Sequence, residues 1–225
     1  MSETQAVRVW DLPTRTFHWL LVICVVFSIV SARIGGGAMV WHFRSGYVVF
    51  ALLGFRLLWG FVGGRWSRFR AFLYAPATSL RYLRGESLPH EHHDVGHNPL
   101  GAGSVFALLG ILAVQVGTGL FADDEIDSTG PLVKYVSSAT SAAASHWHKR
   151  YGQWIIIALA VLHIGAITYY WLRHRTNLVG PMLHGDKRLT GDVPASVDSG
   201  KSRALALALL AACAIGVAVI ASLRD

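Results

Sequence analysis

The chain has 225 residues, of which 53% are hydrophobic and only 15% are charged, and its mean hydropathy is +0.43. A soluble domain of this length seldom carries so little charge, so the composition places the chain among membrane proteins. The formal net charge of +7 does not indicate a nucleic-acid partner, because the basic residues cluster at the ends of apolar segments, as membrane topology requires.

Five apolar segments approach or exceed the roughly 20 residues that cross the hydrocarbon core of a bilayer. In chain order they are Phe17–Ala32, Val40–Val62, Leu100–Ala122, Tyr151–Leu172 and Ala204–Leu223. The first is short, and the second contains two arginines. We predict an all-α fold in three parts: a transmembrane four-helix bundle (1–178), a cytoplasmic linker (179–203) and a fifth, C-terminal transmembrane helix (204–225).

The basic residues are distributed asymmetrically between the connections. Arginines or lysines precede the first segment and follow the second and the fourth, whereas the connection after the third opens with acidic residues. By the positive-inside rule, we predict a cytoplasmic N-terminus and a loop Asp123–Trp147 on the opposite side. In that loop we expect a turn and a short surface helix. An odd fifth span would put the C-terminus across the membrane.

Four histidines lie in or at the edge of the apolar segments: His18, His42, His148 and His163. An ionisable side chain inside a bilayer is costly, which makes a functional role the default hypothesis. His18 begins the first helix on the cytoplasmic side, whereas His42 and His148 begin helices that descend from the other side. His163 follows His148 by 15 residues, or about 22 Å of helix, which brings it to the depth of His18.

The predicted pairs are therefore His18–His163 and His42–His148. Each pair joins two helices at one depth, as an iron with two axial imidazoles requires. No Cys-x-x-Cys-His motif occurs, which excludes covalent haem attachment of the c type. The sequence predicts two non-covalent haems b and electron conduction through the bundle. A metal or proton transporter is the alternative from another class, but its polar groups would be strung continuously along the membrane depth.

Several other residues are candidates for cofactor binding. Arg56 lies 14 residues after His42, at the predicted depth of the inner haem, where a propionate would be its anionic partner. Arg15 and Arg44 are candidates by depth alone, with snorkelling to the interface as the alternative. His97 opens the third segment and is a candidate partner for a propionate or a quinone. Glycines at spacings of seven would let a porphyrin or another helix approach: Gly103, Gly110 and Gly117.

Motifs on the predicted helices resemble those of the bacterial cytochrome b561 family, whose relatives include the b-type subunits of nickel–iron hydrogenases. They are Trp10-Asp11-Leu12-Pro13-Thr14-Arg15-Thr16-Phe17-His18-Trp19, His42-x-x-x-Gly46, Arg56-Leu57-Leu58-Trp59-Gly60 and Gly96-His97-Asn98-Pro99-Leu100-Gly101. The resemblance covers about residues 6–178. It implies a bacterial inner-membrane protein with two haems b ligated by the four histidines, and it adds Gly46 to the cofactor-binding residues.

One departure from the family concerns the fourth helix. The family's two histidines there are usually one residue closer together than His148 and His163. A local π-bulge would absorb the extra residue.

We expect transmembrane electron transfer between the quinone pool (ubiquinone or menaquinone) and a periplasmic redox partner such as a c-type cytochrome. Two readings within this class stay open: a superoxide:quinone oxidoreductase, and the membrane b subunit of a hydrogenase-like complex. The sequence does not decide whether the chain is an enzyme or a carrier, or whether it forms a homodimer.

Overall fold

The computed structural model describes residues 4–88, 93–123 and 128–224. Its helices are α1 (Leu12–Ile34), α2 (Met39–Val62), α3 (Pro76–Arg84), α4 (Pro99–Leu120), α5 (Ser138–Trp147), a π-helical turn (His148–Gly152), α6 (Gln153–His174), α7 (Val179–His184) and α8 (Gly200–Ala221). Two short strands, β1 (Thr4–Arg8) and β2 (Asp186–Thr190), complete the fold. Within the described residues, five helices are long and apolar enough to cross a membrane. The predicted all-α membrane fold is confirmed.

The outward faces of these helices are apolar. Four apolar residues of the membrane-length helices are each more than 60% exposed: Ile23, Phe61, Val161 and Leu207. Exposed apolar surface of this extent marks contact with lipid.

The fourth membrane helix is longer than its apolar segment. It begins at Ser138, passes through the π-helical turn and ends at His174, so that the predicted surface helix (α5) is its first part. The Ser137 hydroxyl caps it by accepting a hydrogen bond from the Thr140 amide at 3.2 Å. Alanines of high helix propensity follow this cap, and they let the helix start well before Tyr151.

The chain forms two compact units. The first comprises Met1–Thr16, Arg56–Ala107 and Leu162–Leu207. In it β1 and β2 pair antiparallel, with Gln5 opposite Leu189 and Val7 opposite Lys187. Around this pair a small core forms from buried apolar side chains: Val7, Val9, Trp10, Val95 and Leu189. The segment 179–203, predicted as a linker, is thus folded onto the N-terminal residues because its strand completes this core.

Ion pairs join the same two parts of the first unit. Arg8 Nε donates to Asp186 Oδ1 at 2.6 Å, and Arg8 Nη1 donates to Asp198 Oδ2 at 2.9 Å. Arg203 Nε donates to the other oxygen of Asp198 at 2.8 Å. The hydrogen bond to Asp186 raises the pKa of Arg8. Although burial opposes it, the hydrogen bond from Arg203 and the proximity of Arg8 hold the pKa of Asp198 below its ordinary value.

The second unit comprises Phe17–Phe55, Leu108–Val161 and Ala208–Asp225. Here α8 packs on α2: a Cβ added at Gly54 would lie only 3.3 Å from Cys213 Sγ. The Arg224 guanidinium lies 5.1 Å from the centre of the ring of Phe43, a residue in the first turns of α2. The part of α8 from Ala208 onward is therefore packed within this unit.

Candidate functional site

The second unit encloses a cavity of about 310 Å³, within the range of small-molecule sites. Its apolar lining includes Val49, Leu112 and Ile156, each less than a tenth exposed. His42 and His148 also line it, as do Arg33 and Lys149. An apolar cavity with a few convergent polar groups is the usual form of a cofactor site.

His42 and His148 face each other at this cavity. Their ring centroids are 5.9 Å apart, and the ring planes are nearly perpendicular, at 88°. Because a metal–imidazole bond is about 2 Å long, two rings at this separation leave room for one metal ion between them. The structure therefore brings together the two histidines that the sequence places at the outer depth.

Backbone carbonyls orient both rings. His42 Nδ1 lies 3.0 Å from the Ser28 carbonyl oxygen, and His148 Nδ1 lies 2.8 Å from the Gln115 carbonyl oxygen. A carbonyl oxygen only accepts hydrogen bonds, so each Nδ1 carries the proton and each Nε2 keeps its lone pair. This is the arrangement that metal-ligating histidines usually show, with the second nitrogen fixed by an outer hydrogen bond.

The π-helical turn positions His148. The Gln115 side chain donates from Nε2 to the His148 carbonyl at 3.0 Å, while the backbone carbonyl of Gln115 accepts from His148 Nδ1. Two glycines permit this packing: a Cβ at Gly119 would lie 2.8 Å from His148 Cε1, and one at Gly152 would overlap Gln115 Oε1. The π-bulge predicted from the spacing of His148 and His163 is present, and it begins at His148 itself.

The other two histidines lie in different units, and each is described within its own. In the first unit, His163 Nδ1 lies 3.3 Å from the Ser104 hydroxyl. In the second, the His18 ring lies 5.0 Å from the Trp19 ring. Their pairing stays a prediction.

Arg56 has partners within the first unit that the sequence did not reveal. It is 3% exposed, its Nη2 donates to the Ser67 carbonyl at 3.1 Å, and its guanidinium lies 4.7 Å from the centre of the Phe69 ring. The fully buried carboxylate of Asp11 interacts with it electrostatically. Arg56 Nη1 is buried without a hydrogen-bond partner among the described residues, so a propionate contact there stays a prediction.

The buried Asp11 is a structural hub of the first unit. Its carboxylate accepts hydrogen bonds from the amides of Thr14 and Gly64, both at 2.8 Å, and from Trp59 Nε1 at 3.2 Å. One sequence signal for Asp11 is its place in the Trp10–Trp19 motif. The other is its position directly before an apolar helix, which indicates a helix cap. Asp11 does cap α1, through the Thr14 amide.

The remaining candidate arginines have other contacts. Arg15 Nη1 donates to the Leu183 carbonyl at 2.6 Å. Arg44 is exposed and lies 4.9 Å from the centre of the Trp41 ring. Neither lines the cavity of the second unit.

The candidate glycines and His97 are placed as follows. Gly46 lines the cavity, and a Cβ built on it would meet no atom within 4 Å. The His97 ring lies between the rings of Trp10 and Phe72, with both centroid distances at 4.7 Å. The stripe of Gly103, Gly110 and Gly117 does not line this cavity, and no described atom approaches within 4 Å of a Cβ built there.

Three residues at the cavity escaped the sequence patterns. Gln115 is the lone amide within the apolar segment Leu100–Ala122, and that isolation was an available signal. Arg33 and Lys149 look like topology-determining charges at helix ends, so nothing in the sequence separated them from the other basic residues.

Membrane-length helices line an apolar cavity at which two imidazole rings lie 5.9 Å apart. These features define a membrane protein with a site that fits a haem held by two histidines. The profile of the family described as prokaryotic cytochrome b561 matches residues 9–185. The chain belongs to this family. It is a multi-pass bacterial membrane cytochrome of the b type, with haem b as its cofactor. The helix α8 begins beyond the matched residues.

Curated relatives carry a consistent description. A "Probable Ni/Fe-hydrogenase 1 B-type cytochrome subunit" of Escherichia coli (strain K12) is 24% identical over 69% of this chain and 80% of its own length. A "Probable Ni/Fe-hydrogenase B-type cytochrome subunit" of Azotobacter chroococcum mcd 1 is 27% identical, covering 86% and 93%. The one from Rhizobium leguminosarum bv. viciae is 23% identical, covering 82% and 90%.

Proposed function

We propose that this chain transfers electrons across the bacterial inner membrane between the quinone pool and a redox partner on the periplasmic side. The observation that carries the proposal is the pair His42–His148, with rings 5.9 Å apart at an apolar cavity and both Nδ1 atoms bonded to carbonyls. When bound, haem supplies one-electron redox chemistry, and the protein supplies the ligands, the burial and the nearby charge that set its potential.

In this proposal each group at the cavity has a separate task. His42 and His148 would hold the haem iron through Nε2, and the carbonyls of Ser28 and Gln115 hold the rings in that tautomer. The buried apolar lining would keep water away from the cofactor. Gly46, with open space where a Cβ would be, leaves room for the cofactor beside α2.

A second haem, ligated by His18 and His163, is part of the same proposal and rests on helix spacing alone. Their predicted common depth, about 22 Å from the outer pair, would provide an electron path across the hydrocarbon core. Haem content per chain tests it, with two haems expected and one contradicting the inner pair.

The names of the relatives favour one reading of the periplasmic partner. Because three relatives with 23–27% identity are described as hydrogenase b-type cytochrome subunits, we propose that the partner is an oxidoreductase subunit bound to this chain. A c-type cytochrome and superoxide are the competing partners.

An absorption spectrum tests the central proposal. The purified, reduced protein should show a sharp α-band of the b type, and oxidation should remove it. A preparation of folded protein without this band would contradict the proposal and return the histidines to a transport role.

Partner identity needs a separate measurement. In native membranes, hydrogen should reduce the haem if the partner is a hydrogenase, and a quinone analogue should then reoxidise it. Reduction by a c-type cytochrome or by superoxide, but not by hydrogen, would select the competing reading.

A further inference from the structure

The lining of the cavity at His42 and His148 combines a buried apolar part with exposed cationic side chains. Its deep lining is apolar and buried, at Val49, Leu112 and Ile156. Two cationic side chains also line it, Arg33 and Lys149, and both of these residues are exposed. Of the described lining residues, these two alone are Arg or Lys.

Both side chains are oriented at the cavity by contacts with uncharged groups. Arg33 comes from the last turn of α1, where its guanidinium lies 5.0 Å from the centre of the Trp154 ring and reaches Gln153 Oε1 at 3.5 Å. Lys149 follows His148 in the π-helical turn, and its Nζ donates to the Asp123 carbonyl at 3.3 Å. Neutral partners orient the two side chains without neutralising them.

We infer that Arg33 and Lys149 bind the two carboxylates of the haem at the His42–His148 site. This inference rests on the proposed haem site. Haem b is an apolar ring with two propionates on one edge, and the cavity is an apolar space with two cations at its exposed lining. A guanidinium binds a carboxylate through paired hydrogen bonds, whereas an ammonium acts as a point charge, so Arg33 makes the more specific contact.

Among the described lining residues, Asp123 is the one carboxylate, and the two cations outnumber it there. Its amide donates to the Ser145 hydroxyl at 2.8 Å, which fixes the backbone that positions Lys149.

A cation beside the haem edge favours the reduced form, because reduction adds one negative charge to the site. Removing Arg33 should therefore lower the midpoint potential of this haem. We expect Arg33→Gln to change the ratio of reduced to oxidised haem at a fixed potential by up to about tenfold, equivalent to about 59 mV for one electron.

The experiment is a redox titration of the full-length, haem-loaded protein in its wild-type form and in four variants. Arg33→Gln and Lys149→Gln should each lower the potential, and Arg33→Lys should recover most of the shift. Arg150→Gln is the matched control, since Arg150 is an exposed cation on the same π-helical turn that does not line the cavity. It should leave the potential unchanged.

Two results would overturn the inference: no shift in Arg33→Gln, or equal shifts in Arg33→Gln and Arg150→Gln, which would indicate a general surface charge effect. If Arg33→Gln is isolated without haem at this site, Arg33→Lys should retain the haem, and loss in both variants would count against carboxylate binding. A wild-type protein without a b-type band would contradict the proposed function instead.

Discussion

His146 and His148 lie two residues apart on the fourth membrane helix, yet only His148 reaches the cavity. The His146 side chain is exposed, and its ring lies 5.4 Å from the ring of Tyr151. We expect His148→Ala and His42→Ala to remove the outer haem, whereas His146→Ala should keep it. Haem content and the reduced spectrum measure this. Loss of haem in His146→Ala with retention in His148→Ala would reverse the assignment.

Arg56 provides a second test at the residue scale. Its guanidinium interacts electrostatically with the buried Asp11 carboxylate and donates to the Ser67 carbonyl, so Arg56→Gln removes a buried charge that both groups contact or sense. A hydrogen bond of a charged group typically contributes about 1.5–3 kcal/mol to stability. We therefore expect a much lower thermal midpoint in detergent, partly recovered by Arg56→Lys. An unchanged midpoint, with a lower potential of the inner haem, would favour the propionate role instead.

The structure brings His42 and His148 together, as the regular rise of a helix led us to expect, although the helix of His148 begins ten residues earlier, at Ser138. The depth argument did not reveal the electrostatic interaction of Asp11 with Arg56. That interaction depends on how the turn at Gly64 folds back onto Asp11, and no periodic pattern encodes such a turn. A buried ionic partner outside the apolar segments is therefore the kind of residue that hydropathy misses.

At the scale of elements, Gly152 is required by packing. A methyl group there would overlap Gln115 Oε1 and push the amide away from the His148 carbonyl. We expect Gly152→Ala to disturb the outer haem, seen as an altered ferric spectrum and weaker haem retention. Gly165→Ala is the control on α6, because a Cβ there meets no atom within 4 Å. It should be neutral or slightly stabilising, as alanine favours helix. Equal behaviour of the two variants would show that Gln115 does not position His148.

The pairing of β1 with β2 yields a pH-dependent prediction through Asp198. Because its folded pKa is depressed, its contribution to stability is present above the unfolded value of about 3.9 and is lost as pH falls through the folded value. Asp198→Asn should therefore lower the free energy of unfolding at pH 7 by roughly 1 kcal/mol for a partly screened pair, which is measured as a lower thermal midpoint.

The difference between wild type and Asp198→Asn should shrink as pH falls below about 4, where the unfolded carboxylate takes up a proton, and should disappear once pH falls through the lower folded pKa. Asp192→Asn, at an exposed position, is the control. A difference that stays constant from pH 7 to acid would contradict the charge-based account.

At the scale of elements, the sequence predicted the long apolar helices but did not predict the two strands, whose pairing is long-range. The membrane helices follow from apolar segments, and the π-helical turn was suggested by comparing the spacing of His148 and His163 with that of the cytochrome b561 family. The strands could not be predicted in this way, because each has five residues and their partners lie more than 170 positions apart. A short strand with a distant partner has no local signature beyond weak alternation.

At the scale of the whole molecule, orientation is the open prediction. The first unit carries exposed arginines on two connections, after α2 and from the end of α6: Arg65, Arg70, Arg84, Arg173 and Arg188. By the positive-inside rule, a reporter inserted after Gly85 should be cytoplasmic, and one at Ser138 should be periplasmic. A C-terminal fusion should also be periplasmic, since α8 is a fifth membrane-length helix. Protease protection in inverted vesicles measures all three. A cytoplasmic C-terminus would mean that α8 does not cross.

The outer hydrogen bonds of His42 and His148 both end on main-chain carbonyls, those of Ser28 and Gln115. No exchange of a side chain can delete a main-chain acceptor. The effect of these hydrogen bonds on the basicity of the imidazoles therefore depends on the path of the backbone and not on the identity of any neighbouring side chain. Such a ligand environment tolerates extensive sequence drift as long as the helices keep their course, which allows proteins of about a quarter shared identity to hold the same kind of cofactor.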